Sequence, residues 1–562
     1  MFVRVMSFVI AILSGGMALG STAVAQSAAA PESGEAAVAT ISTNTEERAL
    51  ADLEGSGDAF VLSTSQPRTR IHFTLPPNVQ TAEAWLRLAA RPASDTTAGV
   101  IEVSVNGGEA ILIRPQPRAM EARFSLFSAD IRPGDNTLEI AYSTQTPAPG
   151  WIVDARRSQL RLTLEPVRPL ETLGELEHAL GSDFAAPRRI ALITDPGRER
   201  ITLEALTAQG IALRAGEVPL FTGEAEQADL VVRIAETARL SEEDRAALRR
   251  GDSQGPEVAF RHADVPHLIV TGRNLDEATA AARLMGARSF EGYGRNFIAA
   301  DAISARRLGS EQVRDARQFS ANADLRTFAA SGLPFSADQG ARTAVQFSTQ
   351  YDADRYGALS VLARAALIGD QAWLYAWYGD SSETAPADHN LLIIGPNSTQ
   401  IADVDRSAPE ELRAALRAAE RSRGQRGLMR LAAAAYADAG DQAAAAPGSN
   451  TRETGVGVAS LFRDRQNNQR WIGTLTAPDV ASFADAGRSL ARSDLWQALE
   501  GRAAVWSSRG VTPLDFSVEA PTLTDRAREF AIDHTRDAAF ILFGAALLML
   551  LRGFARRRRV QA

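Results

Sequence analysis

Polar and apolar residues alternate in short runs along residues 60–165. Alternation with a period of two places the apolar side chains on one face of a β-strand. Asn106-Gly107 follows one of these runs and is a strong signal for a two-residue hairpin turn. The runs are 70–75, 85–88, 100–105, 111–113, 123–126, 137–142 and 160–164. Because no helical period separates them, the pattern predicts a β-sandwich of jelly-roll type over residues 58–166.

Residues 167–290 change to apolar runs that alternate with helical periods. This pattern predicts an α/β domain with a parallel sheet. The loops 194–198 and 271–274 lack a glycine-rich nucleotide-binding pattern, so we predict ordinary turns there and no cofactor. The predicted strands are 189–194, 211–213, 229–234 and 267–272, and the predicted helices are 171–180, 200–209, 241–250 and 275–285.

A second domain of the same kind is predicted over residues 346–518. The stretch before it, 291–345, has weak periodicity and is interpreted as a linker with short local elements. The similar order of elements in the two α/β domains suggests an internal pair. The predicted elements are helices 356–368, 409–421 and 480–491, strands 372–377, 389–395 and 503–506, and a hairpin of 455–462 with 470–475.

The amino terminus has the pattern of an export signal. Arg4 precedes an apolar run, and Ala23-Val24-Ala25 is a typical cleavage motif, so residues 1–25 are predicted to be a signal peptide. An uncleaved N-terminal anchor is the alternative. Residues 26–57 are rich in Ala, Ser and Glu and are predicted to be a disordered tether.

The carboxyl terminus predicts a transmembrane helix over residues 538–555, held by a cytoplasmic basic tail at 556–562. A buried core helix is the alternative, because apolar runs of this length are also found inside proteins. Residues 522–536 are amphipathic and predict a helix at the membrane interface or, equally, one packed on the last domain. The predicted anchor residues are Ala538, Phe540, Ile541, Leu542, Phe543, Leu547, Leu548, Leu550 and Leu551, and the predicted stop residues are Arg552, Arg556, Arg557, Arg558 and Arg559.

Composition indicates a globular α+β protein of several domains. The chain has 562 residues, of which 45% are hydrophobic, and a net charge of −8. Because the last residues are basic, the rest of the chain is more acidic than this value, which argues against a nucleic acid polymer as partner. The sequence contains no cysteine, which excludes disulfides and thiolate metal sites.

Aromatic residues are the candidate ligand contacts. Sugars are bound by aromatic faces with polar groups at their edges, and Trp85 and Trp151 are the candidates in the predicted sandwich. Trp85 lies in an alternating run, which favours core packing over ligand contact, whereas the position of Trp151 after Pro147-Ala148-Pro149-Gly150 favours neither. Trp373, Tyr375 and Trp377 would share one face of a strand, a pattern typical of packing against a helix.

No catalytic motif is evident. The six histidines are scattered without a zinc-binding spacing, and no nucleophile elbow of the Gly-x-Ser-x-Gly type is present. Pairing of carboxylates is a matter of spatial position, so a glycoside hydrolase stays open as an alternative. An envelope scaffold without sugar affinity is the other alternative.

Element order and local sequence together resemble the periplasmic B subunit of bacterial cellulose synthase, a family also described as cyclic di-GMP-binding regulatory proteins. The resemblance implies that both α/β domains, 167–290 and 346–518, are flavodoxin-like. The family has a second jelly roll between its two α/β domains, and residues 291–345 are too few to form one. The chain therefore resembles a shortened form, or the partner of a synthase of a related polymer. The matching segments are 103–107, 133–138, 151–154, 158–160, 269–274, 391–395, 495–501 and 505–506.

The resemblance implies a non-catalytic subunit of the bacterial inner membrane with most of its chain in the periplasm. Its partners would be the membrane-embedded catalytic subunit of the synthase, the nascent β-glucan chain and the lipid bilayer. The family description adds cyclic di-GMP. That nucleotide is cytoplasmic, however, and only residues 552–562 would lie there, so we expect the catalytic partner to bind it.

Overall fold

A computed structural model describes the chain over residues 44–55, 57–94, 99–116, 118–145, 149–197, 199–249, 255–287, 289–298, 322–349, 351–396, 402–410, 412–413, 455–477 and 480–514. The predicted signal peptide, interfacial helix, transmembrane helix and basic tail lie outside these residues, as do residues 26–43 of the predicted tether. Across the described part of the chain, no helix combines the length and the apolar character needed to cross a membrane.

The amino-terminal domain is a sandwich of two antiparallel sheets, which confirms the predicted β-sandwich. The first sheet has the order β1-β10-β4-β9-β2, and β7 also pairs with β4. The second sheet has the order β3-β8-β5-β6. The strands of the first sheet are β1 Asn44–Ala49, β2 Ala59–Leu62, β4 Val79–Pro92, β7 Met120–Ser125, β9 Trp151–Asp154 and β10 Gln159–Pro166. Those of the second are β3 Arg68–Leu75, β5 Val100–Val105, β6 Ile111–Ile113 and β8 Gly134–Ser143.

Alternation along the strands builds the sandwich core. Leu86 and Leu88 of the first sheet and Ile71 and Val103 of the second are fully buried in one cluster. The predicted turn forms at Asn106-Gly107, and both residues have positive φ, at 52° and 73°. Positive φ at both central positions is what a type I′ turn requires. The connection from β5 to β6 is longer than the predicted two-residue hairpin, because β6 begins only at Ile111.

The predicted tether is wrong for residues 44–54. The strand β1 pairs antiparallel with β10 from Asn44 opposite Leu164 to Ala49 opposite Gln159. Leu50 and Leu53, which follow β1, are buried in the sandwich core. Strand pairing uses backbone groups, so a polar segment can join a sheet edge when two apolar side chains fix it there.

The next domain is a mixed sheet with helices. The order is β12-β11-β13-β15-β14-β16; the first four strands are parallel, and β14 is antiparallel to both of its neighbours. Its strands are β11 Arg189–Thr194, β12 Leu220–Thr222, β13 Leu230–Glu236, β14 Glu257–Arg261, β15 His267–Gly272 and β16 Asn296–Ile298. Its helices are α1 Leu173–Leu180, α2 Arg200–Ala215, α3 Glu242–Ala246 and α4 Leu275–Ala287.

The last described domain repeats this order and adds one strand. Its sheet runs β18-β17-β19-β21-β20-β22-β23, and β20 is again antiparallel to both neighbours. The strands are β17 Thr343–Phe347, β18 Trp377–Asp380, β19 Asn390–Ile394, β20 Gly457–Arg463, β21 Trp471–Thr476, β22 Ala503–Ser507 and β23 Gly510–Leu514. The helices are α5 Leu325–Ser331, α6 Asp352–Ile368, α7 Ala402–Ser407, α8 Val480–Leu490 and α9 Ser493–Gln497.

Two predicted strands of the α/β domains are wrong. Residues 211–213 continue α2, which ends at Gly216 in the left-handed region, because a buried apolar triplet fits a helix as well as a strand. Residues 372–376 form a turn, and the strand begins only at Trp377. The predicted linker contains short elements as expected, but two of them, β16 and the start of β17, belong to the sheets of the α/β domains, and the third is α5. The predicted helix 409–421 lies mostly outside the described residues.

One apolar cluster runs through both α/β domains, whereas the sandwich has its own. The helix α2 of the first α/β domain contacts α6 and β18 of the second. The sandwich is joined to the first α/β domain by Asp183, whose Oδ2 accepts hydrogen bonds from the backbone and hydroxyl of Thr74 at 2.8 and 3.0 Å.

Candidate functional site

Trp85 lies on the outer face of the first sandwich sheet, in the middle of β4. Ala84 and Leu86 on either side of it point into the core and are buried, so the alternation of the strand directs the indole outward. The side chain is half-buried, and Glu83 and Arg87 share its face. The sequence favoured core packing for Trp85, and the structure places it on the surface instead.

Polar residues of the neighbouring strands surround this indole. Arg161 of β10 is directly opposite Trp85 on one side, and Ser125 of β7 is opposite on the other. The guanidinium carbon of Arg123 lies 4.8 Å from the ring centroid. Such a cation–π contact at an exposed site contributes about 0.5–1 kcal/mol. Arg123 is therefore held over the ring face only weakly.

An ion network holds the polar side of this face in place. Arg87 donates from Nε to Oε1 of Glu121 at 2.8 Å and from Nη1 to Oε1 of Gln159 at 3.0 Å. Arg157 donates to the other oxygen of Glu121 at 2.9 Å. The hydrogen bond from Arg87, and then that from Arg157, hold the pKa of Glu121 below its usual range. The carboxylate therefore stays ionised, and the guanidinium groups keep their positions.

We call Trp85, Arg87, Arg123, Ser125 and Arg161 the β4 face. It offers one apolar ring between hydrogen-bond donors and acceptors on a flat sheet. A pyranose ring has an apolar face and a rim of hydroxyl groups, so it matches such a surface. The arrangement supplies contacts for binding.

Trp151 is the second candidate, and the prediction that it contacts sugar is wrong in this structure. It is the first residue of β9, opposite Leu62 and Pro92, and its side chain is 0% exposed. Gly150 allows this burial, because a Cβ there would lie 1.4 Å from the carbonyl oxygen of Leu62. The proline-rich segment before Trp151 indicated a loop, but the tryptophan itself belongs to the core.

The aromatic residues of the second α/β domain separate in space. Trp373 is fully buried beside Phe335, with ring centroids 6.4 Å apart, as the predicted core role requires. Trp377 is half-buried and begins β18. No three His, Asp or Glu side chains come together as a metal site within the described ranges. The arginine run at 556–559, part of the predicted cytoplasmic stop, lies outside those ranges.

No protein-family model matches the chain, and no curated protein matches it. Solved structures resemble parts of it. A family 35 carbohydrate-binding module from Cellvibrio japonicus is 12% identical over 22% of this chain and 99% of that one, with a TM-score of 0.16. A module of the same family from Clostridium thermocellum is 12% identical over 21% and 98%, with a TM-score of 0.15.

An exo-β-1,3-galactanase from Phanerochaete chrysosporium is 14% identical over 21% of this chain and 28% of that one, with a TM-score of 0.14. At such identities and TM-scores a likeness does not assign a ligand. The ligand of this chain has to be argued from its own residues.

Proposed function

We propose that the protein is a non-catalytic, membrane-anchored periplasmic subunit of a bacterial synthase of cellulose or a related exopolysaccharide. In this role the anchor holds the chain beside the catalytic subunit, and the β4 face contacts the nascent glucan. Cyclic di-GMP is bound by the catalytic partner.

The order of domains supports this proposal. A β-sandwich is followed by two α/β domains, which is the order implied by the colinear segments that resemble the B subunit. When the strands of each α/β domain are numbered along the chain, both sheets begin with the order 2-1-3, as flavodoxin-like sheets do. They differ from the flavodoxin-like order 2-1-3-4-5 in that strand 5 comes before strand 4.

The observation that carries the glucan contact is the outward position of Trp85 among polar side chains. Trp151 in the core is fully buried, whereas Trp85 is only partly buried and lies on the outer face of its sheet. A binding surface gives a reason for a large ring in that position.

The test is co-sedimentation of the full chain with amorphous cellulose, in a detergent without a sugar headgroup. We expect Trp85→Ala to weaken binding about fivefold, as for loss of one aromatic contact. Arg123→Ala is the matched control at the same face, and we expect it to strengthen binding up to about fivefold because it uncovers the ring. The melting temperature should fall by no more than a few degrees in either variant, because each loses the weak Arg123–Trp85 contact.

Equal binding of Trp85→Ala and the unaltered chain would contradict the role of the β4 face. Absence of cellulose binding by either would favour the envelope scaffold. Release of reducing ends from the same cellulose would indicate a hydrolase and contradict the non-catalytic role.

A further inference from the structure

A cleft of about 380 Å³ lies between the two α/β domains. This volume is at the lower end of the roughly 300–1,000 Å³ of small-molecule sites. The start of α2 and residues 275–283 of α4 form one wall, and β18 with the residues on either side of it forms the other. The residues that matter for recognition are Glu199, Thr202, Asp276, Arg283, Trp377 and Glu383.

Trp377 and Glu383 are brought together over Gly379. A Cβ at Gly379 would lie 2.2 Å from Cη2 of Trp377 and 2.5 Å from Oε2 of Glu383. Only glycine therefore lets the indole and the carboxylate occupy this space. The indole also packs against the apolar cluster on one side of its sheet, which holds it in place.

Hydrogen bonds between the two α/β domains hold the wall formed by α2 and α4 against the wall formed by β18. Arg283 of α4 donates from Nε to the carbonyl oxygen of Leu374 at 3.0 Å, and its guanidinium carbon lies 5.9 Å from the ring centroid of Tyr375. Thr202 of α2 donates to the carbonyl oxygen of Tyr378 at 3.4 Å. The two walls are thus held in register before any ligand enters, which lowers the entropy lost on binding.

The side chains that line the cleft indicate which chemical class of ligand it binds. An indole, carboxylate acceptors and a guanidinium donor are the groups that bind the faces and hydroxyls of sugars. Three carboxylates, of Glu199, Asp276 and Glu383, outnumber the single guanidinium of Arg283. This excess of negative charge disfavours uronic acids and sugar phosphates.

We propose that this cleft is a second saccharide site, separate from the β4 face, and that it binds a short segment of a neutral glycan. The inference deepens the proposed function and rests on it for the ligand class. The β4 face is open and suits a long chain, whereas the cleft has room only for a short one.

The test is titration calorimetry of the full chain with cellotriose and with trigalacturonic acid, again in a detergent without a sugar headgroup. We expect heat of binding for cellotriose and none for the acidic trisaccharide. Trp377→Ala should weaken cellotriose binding about tenfold, as for one lost aromatic contact. Asp276→Asn, at an exposed position where loss of folding is not expected, should also weaken it. Trp85→Ala should leave it unchanged.

The outcomes separate the two proposals. Cellotriose binding that both Trp377→Ala and Asp276→Asn leave intact would overturn the cleft site. If Trp85→Ala abolishes it while the cleft variants do not, the proposed function stands and the cleft inference fails. Tighter binding of trigalacturonic acid than of cellotriose would overturn the neutral ligand class. Absence of binding to either trisaccharide, with cellulose still bound through Trp85, would also overturn the cleft site.

Discussion

Arg355 of α6 donates a hydrogen bond from Nε to Oε2 of Glu204 in α2, at 2.6 Å, across the boundary between the two α/β domains. The side chain of Glu204 is 0% exposed and that of Arg355 is 9% exposed. Arg200 donates to the other oxygen of Glu204 at 3.0 Å. The buried carboxylate is thus paired on both oxygens, and one of its partners belongs to the other domain.

Removal of Glu204 should destabilise the protein strongly. Glu204→Ala leaves Arg355 in the interior without its main partner, and we expect a loss of about 3–5 kcal/mol in the free energy of unfolding. Urea unfolding followed by circular dichroism measures it. Asp352→Asn is the matched control, because Asp352 also pairs with Arg355 but is 68% exposed, so its loss should be about 1 kcal/mol or less. Equal losses in the two variants would show that the buried pair does not hold the domains together.

Asp244 should make part of the stability dependent on pH. The contact with His267, whose Nδ1 lies 3.6 Å from Oδ1, and the charge of Arg261, whose Nε lies 2.9 Å from the same oxygen, hold the pKa of Asp244 below its ordinary value of 3.8, although burial opposes them. A lowered pKa in the folded state gives stability that is present above pH 3.8 and is lost as the pH falls through the folded value.

We therefore expect Asp244→Asn to be about 2 kcal/mol less stable than the unaltered chain at pH 7. The difference should shrink when urea unfolding is repeated at pH 3. A difference that stays constant between pH 7 and pH 3 would contradict the role of the ionised carboxylate.

The helices α6 and α8 approach closely at two glycines. A Cβ on Gly487 would lie 2.7 Å from the carbonyl oxygen of Gly357. Glycine to alanine inside a helix ordinarily stabilises by about 1 kcal/mol. Here we expect Gly487→Ala to destabilise instead, by about 1–2 kcal/mol, because the helices must separate. Thermal unfolding measures the change, with Gly197→Ala as the control, since no atom lies within 4 Å of its added Cβ. A stabilised Gly487→Ala variant would contradict the close contact.

The predicted anchor can be tested on membranes. We expect the full chain to stay in the vesicle pellet after an alkaline carbonate wash, because apolar residues 538–551 cannot leave the bilayer without exposure to water. A chain that ends at Leu514, where the described domains end, should appear in the supernatant. Release of the full chain by carbonate, or its complete protection from protease added to spheroplasts, would contradict a periplasmic domain held by this anchor.

Much of the fold was predictable from local patterns. The sandwich strands follow the alternation of apolar residues, and the Asn106-Gly107 turn needs only the two residues that form it. The strands β11, β19 and β21 are short apolar runs of the expected length. Prediction failed where one local pattern fits two structures: residues 211–213 continue a helix, and residues 44–49 pair at a sheet edge although few of them are apolar.

The candidate sites were less predictable, because burial depends on partners far away in the chain. Trp85 and Trp151 both precede an apolar residue, yet one faces solvent and the other is enclosed by the backbone of β2 and β4. The register of the sheet decides which side of a strand faces the core. The sequence shows which strands exist, but the register follows only from how they pair.

The sequence by itself determined the sandwich, the alternating α/β elements and the chemical types of side chain available. Only the tertiary structure decided that Glu204 meets Arg355, that Trp377 meets Glu383 over Gly379, and that Trp151 is buried. The physical reason is that strands and turns arise from neighbouring residues, whereas these contacts join segments that pack together only after the chain has folded.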